Sequence, residues 1–360
     1  MADPTMITFV SHTNEPGGGE LALRRYLDAT QVPVRLVTLE GGGVWEGARF
    51  EVVTTSGLPD LRQELRASSL IIANSMRAAF LVALLAPRRA HLVYWVRDGL
   101  IDSAMSRVAL TLTKQVTARR MSRYLANSEW TKRTVLEALG VRPNQVDVVQ
   151  SMCGVAQADL RHLPREVPQS DAPLRLLYLG RLSPWKAPDV AVHALAALGE
   201  LGVDASLTVA GSSLFGEEEY AKALATLVAT EPNASLVGHV NDVRKLLDSH
   251  DVLVHCSTVP EPFGQVVVQG LAAGLPVVAT AAGGPCEILR SPPIDLLYQP
   301  GNADSLASMV VKVVRNYAEV ATWALARAHY FTDEVAVAHT DTTLRNLQAT
   351  GEAEQSRSPN

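Results

Sequence analysis

Glu261-Pro-Phe-Gly-Gln-Val-Val-Val-Gln-Gly-Leu-Ala-Ala-Gly-Leu275 comes shortly after an apolar run, Asp251-Val-Leu-Val-His-Cys-Ser257. Apolar strand, turn on Pro262 and Gly264, then tightly packing helix: this order is how an α/β protein builds a ligand crevice at the carboxyl end of its strands. Glu261 adds a carboxylate at the mouth of that crevice.

The same alternation extends outward in both directions. Ahead of it lie apolar runs at 174–179, 205–210, 234–237 and 252–255, with another after it at 276–279. Helical spacing follows the first four, at 188–201, 220–229, 243–249 and 265–273. The first half opens with a run at 7–10, a Pro16-Gly-Gly-Gly19 loop and a periodic segment at 20–27, and continues with runs at 34–39, 70–73, 92–95, 124–126 and 146–149. Strands that read as continuous apolar runs separated by helices predict parallel sheets covered on both faces. The fold class is therefore α/β, with two Rossmann-like doubly wound domains.

Three prolines and several charges in 163–173 mark the expected boundary. The expected domains are 1–165 and 173–325, followed by helices over 326–350 that pack back on the first domain. A Thr332-Asp-Glu start signal opens the last of these helices, and a polar tail over 351–360 reads as disordered. The 360 residues suit two domains of about 150 each.

Charged residues are 19% of the chain and the formal net charge is -5, which argues against nucleic acid or an anionic membrane as the main partner and makes any anion site local. Cys153, Cys256 and Cys286 are odd in number and widely spaced, which fits neither a disulfide framework nor a zinc site. The first residues carry no basic-then-apolar leader pattern, and the longest apolar run, 78–86, falls well short of the roughly 20 residues that span a bilayer. A soluble cytoplasmic protein is the expectation. The arginine-bearing segment 106–124 reads either as a helix able to touch a membrane surface or, better supported, as a surface helix whose apolar side serves the core.

Gly180-Arg-Leu-Ser-Pro-Trp-Lys186 leaves the first strand of the second half. Arg181 and Lys186 there are either solvated charges or a cation pair able to neutralise a diphosphate, and the position after a buried strand favours the latter. The helix after Gly264 would turn free N–H groups and its positive dipole end to the same place. Glu261 and Gln269 are eight positions apart, at most about 12 Å along a helix, and can hold the two ends of one ligand. The plainer alternative is a helix-capping Glu261 and an ordinary polar Gln269.

Together these motifs resemble the retaining nucleotide-sugar glycosyltransferase family 4, of the GT-B fold. That family pairs a Gly-Arg-Leu-Ser-Pro-x-Lys type of loop with a later Glu-Pro-Phe-Gly. Gly238 to Asp242, Asp251 to Ser257 and Gly274 through Gly283-Gly284 to Glu287 stand in the same order and spacing. Over the first half the resemblance is looser, resting on Gly17-Gly-Gly-Glu-Leu, Arg97-Asp98 and Ala126-Asn-Ser128.

The resemblance implies two domains facing across a cleft. It also implies a UDP-, GDP- or dTDP-sugar donor, a hydroxyl-bearing acceptor and retention at the anomeric carbon, while the short first domain and the arginine-rich composition are compatible with a natural-product or cell-surface role. In it Arg181 and Lys186 bind the diphosphate and stabilise its developing charge, and Glu261 contacts sugar hydroxyls. Phe263 and Gly264, with Gly18 and Gly19, approach phosphates and sugar; the main chain near His239 and Val240 holds the base. No metal or other cofactor is implied, since the chain has no Asp-x-Asp run to bring a divalent ion and the two cations can serve in its place.

Two positions depart from the pattern. Gln269 stands where the family usually has a second glutamate, so a ribose contact there loses charge assistance. Arg97 stands where many relatives have histidine, before Asp98. Asp98 is expected near the acceptor; Arg97 either orients an acceptor or phosphate or forms a salt bridge with Asp98 or Asp102. His12, after the first strand, is a further acceptor-side candidate. The rival functions are a non-catalytic nucleotide-sugar-binding or scaffold protein of the same fold and, less well supported, a nucleotide-sugar epimerase.

Overall fold

The computed structural model describes residues 6–168, 172–214 and 216–357, and side chains as far as residue 351. The first sheet is made of β1 (Ile7–Ser11), β2 (Val34–Thr38), β3 (Glu51–Thr54), β4 (Leu70–Ala73), β5 (His91–Val96), β6 (Arg123–Ala126) and β7 (Val146–Val148). They lie parallel in the order β3-β2-β1-β4-β5-β6-β7. The second sheet holds β8 (Leu174–Leu179), β9 (Ala205–Ala210), β10 (Ala234–Gly238), β11 (Val252–His255), β12 (Val277–Thr280) and β13 (Leu297–Tyr298). Its parallel order is β10-β9-β8-β11-β12-β13.

Each order reverses once, between β1 and β4 and between β8 and β11. Loops leaving such a pair of strands diverge to opposite sides and open a crevice at their carboxyl ends. The inner strands β1, β4 and β11 are buried along their whole length, which is why they read as unbroken apolar runs. The edge strand β3, missed in the sequence, has exposed Glu51 and Thr54 and no such run, while β13 spans only two residues.

Helix Gln265–Ala272 lies close on the second sheet because Gly270 lacks a side chain. A Cβ there would stand 2.6 Å from Leu253 Cδ2 and 2.8 Å from Val277 Cγ2.

One unit takes the chain up to Gly154 and again from Asp333, and the other is Val155–Thr332. The first crossing comes earlier than the proline-rich 163–173, and the reason is chemical. Arg165 donates to the carbonyls of Leu247, Asp248 and His250 and to that of Ala273, capping the ends of helices Val243–Asp248 and Gln265–Ala272. Residues that look like a linker are thereby fastened to the second unit. Positions 169–171 lie outside the described residues, as do 1–5, where a leader was looked for.

The return is also displaced from 325/326. Helix Tyr317–Ala328 stays in the second unit, and helix Asp333–Arg357 completes the first. Ala336, Leu344 and Leu347 share a core with Ile7, Phe9, Tyr26 and Trp95. Asp341 accepts from Tyr26 Oη at 2.8 Å and Thr30 Oγ1 at 2.5 Å. The expected disordered tail is corrected in part, since this helix runs through 351–357; residues 358–360 lie outside the described residues.

Segment 106–124 is not one helix. It is helical over Arg107–Leu112, widens into a π turn over Thr113–Thr117, closes with Ala118–Arg120, and passes into β6. Val108 and Leu112 are exposed, so the segment's apolar residues do not all serve the core. Among the described residues no helix is long and apolar enough to cross a membrane.

Candidate active site

In the second unit, the loops leaving β8 and β11 are tied together. Thr258 donates to the Trp185 carbonyl through its backbone N at 2.8 Å and its Oγ1 at 3.2 Å. Tyr178 Oη holds the carbonyl of Arg181 at 2.9 Å. With both loops anchored, Lys186 Nζ meets Glu261 Oε2 at 2.6 Å. The ring of Trp185 takes both cations of its loop, with Lys186 Nζ 4.5 Å and Arg181 Cζ 5.4 Å from its centroid. Arg181 Nε lies 3.3 Å from Glu217 Oε2, an acid just ahead of helix Glu218–Thr230.

Glu261 does not cap the following helix, so the plainer alternative for it is set aside: Gly264 is the N-cap, with no side-chain bond. Its carboxylate is engaged elsewhere. Besides Lys186, Oε2 receives His255 Nε2 at 2.5 Å and Ser257 Oγ at 3.2 Å. Burial alone would raise the carboxyl, but Lys186 and His255 outweigh it and hold Glu261 well below the usual carboxylate range.

A depressed folded-state value means stability that is complete above the unfolded value, about 4.3, and is lost as pH falls through the folded value beneath it. Glu261→Gln is therefore expected to lower stability by about 2 kcal/mol at neutral pH and to converge on the wild type as the pH is taken below 4. Urea midpoints of the two proteins across that range check this; a constant gap would show that the charge of Glu261 is not what matters.

The floor under Glu261 is made by the paired glycines. Glu261 and Gly283 form a parallel bridge, and Gly284 N donates to the Glu261 carbonyl at 2.7 Å. Phe263 is buried against Phe331, ring centroids 6.3 Å apart. Gly264 leads into helix Gln265–Ala272, and half-buried Gln269 stands in its second turn. Half-buried Val240 follows the edge strand β10, two strands away from β8.

In the first unit, the ends of β1, β4 and β5 gather a second group. His12 Nδ1 lies 2.8 Å from Ser75 Oγ. Ser75 Oγ also accepts from Ala78 N as the cap of helix Met76–Leu85, which fixes the hydroxyl beside the imidazole. Burial and Arg77 lower this imidazole's pKa, against a pull from Glu40.

Arg97 is buried and forms no salt bridge with Asp98 or Asp102. Its Nε donates to Asn74 Oδ1 at 2.9 Å, its Nη1 to Ser151 Oγ at 3.3 Å, and its guanidinium sits 3.9 Å over the Trp95 ring. Nη2 has no partner among the described residues. Burial lowers this guanidinium to about 9, while Glu20 and Asp98 hold it up. Asp98 itself is exposed. Gly18 and Gly19 open helix Gly18–Ala29, and the Gly19 carbonyl is 3.5 Å from Asn74 Nδ2.

Thus the structure brings together Lys186 with Glu261, flanks them with Arg181, and gathers His12, Gly19 and Arg97 in the other unit. Sequence reasoning passed over His255, Ser257 and Glu217, and in the first unit Asn74, Ser75 and Ser151. His255 had one signal: an ionisable residue closing an otherwise apolar strand.

Two parallel-sheet α/β units, each with its polar residues at the carboxyl ends beside one strand-order reversal, define the class as the GT-B type of α/β protein. Residues 162–326 match the family model described as glycosyl transferases group 1, a stretch running through most of the second unit. Among solved structures, HepE of Anabaena in complex with UDP-glucose is similar at a TM-score of 0.79 and 25% identity, over 96% of this chain and 99% of that one. An uncharacterized glycosyltransferase of Methanocaldococcus jannaschii is 28% identical over 180 residues, 49% of this chain and 44% of that protein. The 2-deoxystreptamine glucosyltransferase of Streptomyces kanamyceticus is 27% identical over 238 residues, 64% of this chain and 61% of that one. The match thus spans less than two thirds of each of these two curated relatives.

Proposed function

We propose that the protein is a retaining glycosyltransferase that moves a sugar from a nucleotide-sugar donor to an acceptor hydroxyl without a metal ion. The observation that carries this is the meeting of Lys186 and Glu261 at the strand-order reversal of the unit that matches the glycosyl transferases group 1 model. A cation and a carboxylate side by side suit a ligand that is anionic at one end and hydroxylated at the other.

In this reading Lys186 and Arg181 take the diphosphate, whose negative charge grows as the glycosidic bond breaks; fixed cations there lower the barrier directly. Backbone N–H groups at Phe263, Gly264 and the start of helix Gln265–Ala272 add to that field. Glu261 accepts a hydroxyl of the sugar, Gln269 a hydroxyl of the ribose, and the main chain at Val240 meets the base. His12, Arg97 and Asp98 serve the acceptor side, with Arg97 Nη2 the N–H left over for an acceptor oxygen.

Glu261, with three donors on Oε2, is a poor covalent nucleophile. Retention then follows from attack on the face the leaving group departs from. The acceptor oxygen bonds to the anomeric carbon, the carbon–oxygen bond to the diphosphate breaks, and the acceptor's proton passes to the departing phosphate.

HepE, whose crystal structure holds UDP-glucose, makes UDP-glucose the first donor to try. Melting curves with UDP-, GDP- and dTDP-sugars test the reading, since a ligand bound only by the folded state raises stability by mass action. At 100 times Kd the gain is about 2.7 kcal/mol. A melting temperature unmoved by every donor would remove the basis of the proposal.

A further inference from the structure

Three hydrogen-bond donors converge on a single oxygen of Glu261: Lys186 Nζ at 2.6 Å, His255 Nε2 at 2.5 Å and Ser257 Oγ at 3.2 Å, all on Oε2. Oε1 of the same carboxylate has no hydrogen bond among the described residues. One lysine would be enough to balance the charge, so the crowding on Oε2 calls for another explanation.

Lysine reaches Glu261 on a flexible four-carbon stem and can follow the carboxylate as it turns. His255 cannot. It closes the buried central strand β11 and is 3% exposed, with its other nitrogen, Nδ1, 3.5 Å from Thr280 Oγ1 at the end of β12. Ser257 lies 3.2 Å from the same His255 nitrogen, so histidine, serine and carboxylate form one closed set. A donor fixed to the sheet on one side of the carboxylate decides which oxygen faces inward and which is left over.

We infer that His255, assisted by Ser257, is a positioning residue that dedicates Glu261 Oε1 to a hydroxyl of the donor sugar. The inference rests on the donor-site reading above and refines it. The oxygen presented to the ligand is an acceptor only, so it selects a neutral, hydroxyl-bearing sugar over one carrying a carboxylate. It acts on the sugar and leaves the nucleoside diphosphate untouched, because the diphosphate belongs to the cations of the β8 loop.

That division gives the test. Calorimetric titrations of the full chain with UDP, UDP-glucose, GDP and GDP-mannose are run on the wild type, His255→Leu and His255→Gln. His255→Leu is expected to weaken the sugar-bearing ligand at least tenfold while leaving its nucleoside diphosphate within about twofold, the loss of one charge-assisted bond. His255→Gln, which restores an N–H, is expected to recover most of that loss. A residue that merely supported the fold would weaken both ligands alike and would not be rescued.

Melting curves accompany each variant. Where His255→Leu is unfolded, Ser257→Ala carries the comparison, with a smaller loss expected on the sugar-bearing ligand alone. Equal affinity of wild type and variants for the sugar-bearing ligand, or parallel loss of both ligands from a folded variant, overturns the inference. A wild type that binds none of the four overturns the donor-site reading itself, and this inference with it.

Discussion

Lys186→Ala is expected to slow release of sugar from the donor by about 100- to 1,000-fold while the protein stays folded. The side chain is 15% exposed and has one strong partner, Glu261. Its removal takes away a cation 2.6 Å from the Glu261 carboxylate and, with it, the largest of the attractions that keep Glu261 ionised. Lys186→Arg keeps the charge but replaces a compact ammonium with a planar fork, so partial recovery is expected. Donor hydrolysis without acceptor, followed by chromatography of the nucleotide, measures both. A non-catalytic scaffold of the same fold would release no sugar at the start and would be indifferent to either change.

Gly284→Ala should do comparable damage by another route. The backbone at Gly284 is helical, with φ -60°, a conformation alanine prefers. Space is what forbids it: a Cβ would stand 2.4 Å from the Phe263 carbonyl oxygen, 2.6 Å from its Cα and 2.7 Å from the Pro262 carbonyl oxygen. These are backbone atoms that have no rotamer to retreat into. The Glu-Pro-Phe-Gly turn must move, at a cost of about 1–3 kcal/mol and with donor binding weakened more than tenfold. Gly199→Ala is the matched control. It lies inside helix Pro188–Glu200 with nothing within 4 Å of a new Cβ, and is expected to stabilise by about 0.5–1 kcal/mol. Equal melting temperatures for the two variants would show that the Gly284 contact is not tight in solution.

Much of the fold was legible because a parallel strand buried on both faces writes itself as an apolar run, whatever it pairs with. β1, β4, β8 and β11 were visible for that reason, and these strands create the two crevices. The meeting of Lys186 and Glu261 was foreseeable from their places after two such strands. What they meet was not. Glu217 is 36 positions from Arg181, and its approach depends on the path of the loop before helix Glu218–Thr230.

His255 was hidden by its own strand, where a histidine at the end of Val-Leu-Val looks like part of the wall. Arg97 was weighed against the acids beside it in the chain, yet β5 carries it onto the face of Trp95, toward Asn74 and Ser151. The domain boundary misled for a similar reason, since arginines among prolines signal a linker until one sees the carbonyls they cap.

The return of Asp333–Arg357 to the first unit has a consequence for how the protein is made. A ribosome delivers Ile7, Phe9, Tyr26 and Trp95 early, but Ala336, Asp341, Leu344 and Leu347, which close over that core, leave the tunnel only after all of Val155–Thr332. Domains tend to fold as units while synthesis proceeds. Here the half that is translated first is finished last, and it waits, with an apolar face unroofed, for the other half to be built. A nascent chain that has emerged as far as Thr332 would hold a complete second unit beside an unfinished first one, and is the species on which a chaperone would find something to hold.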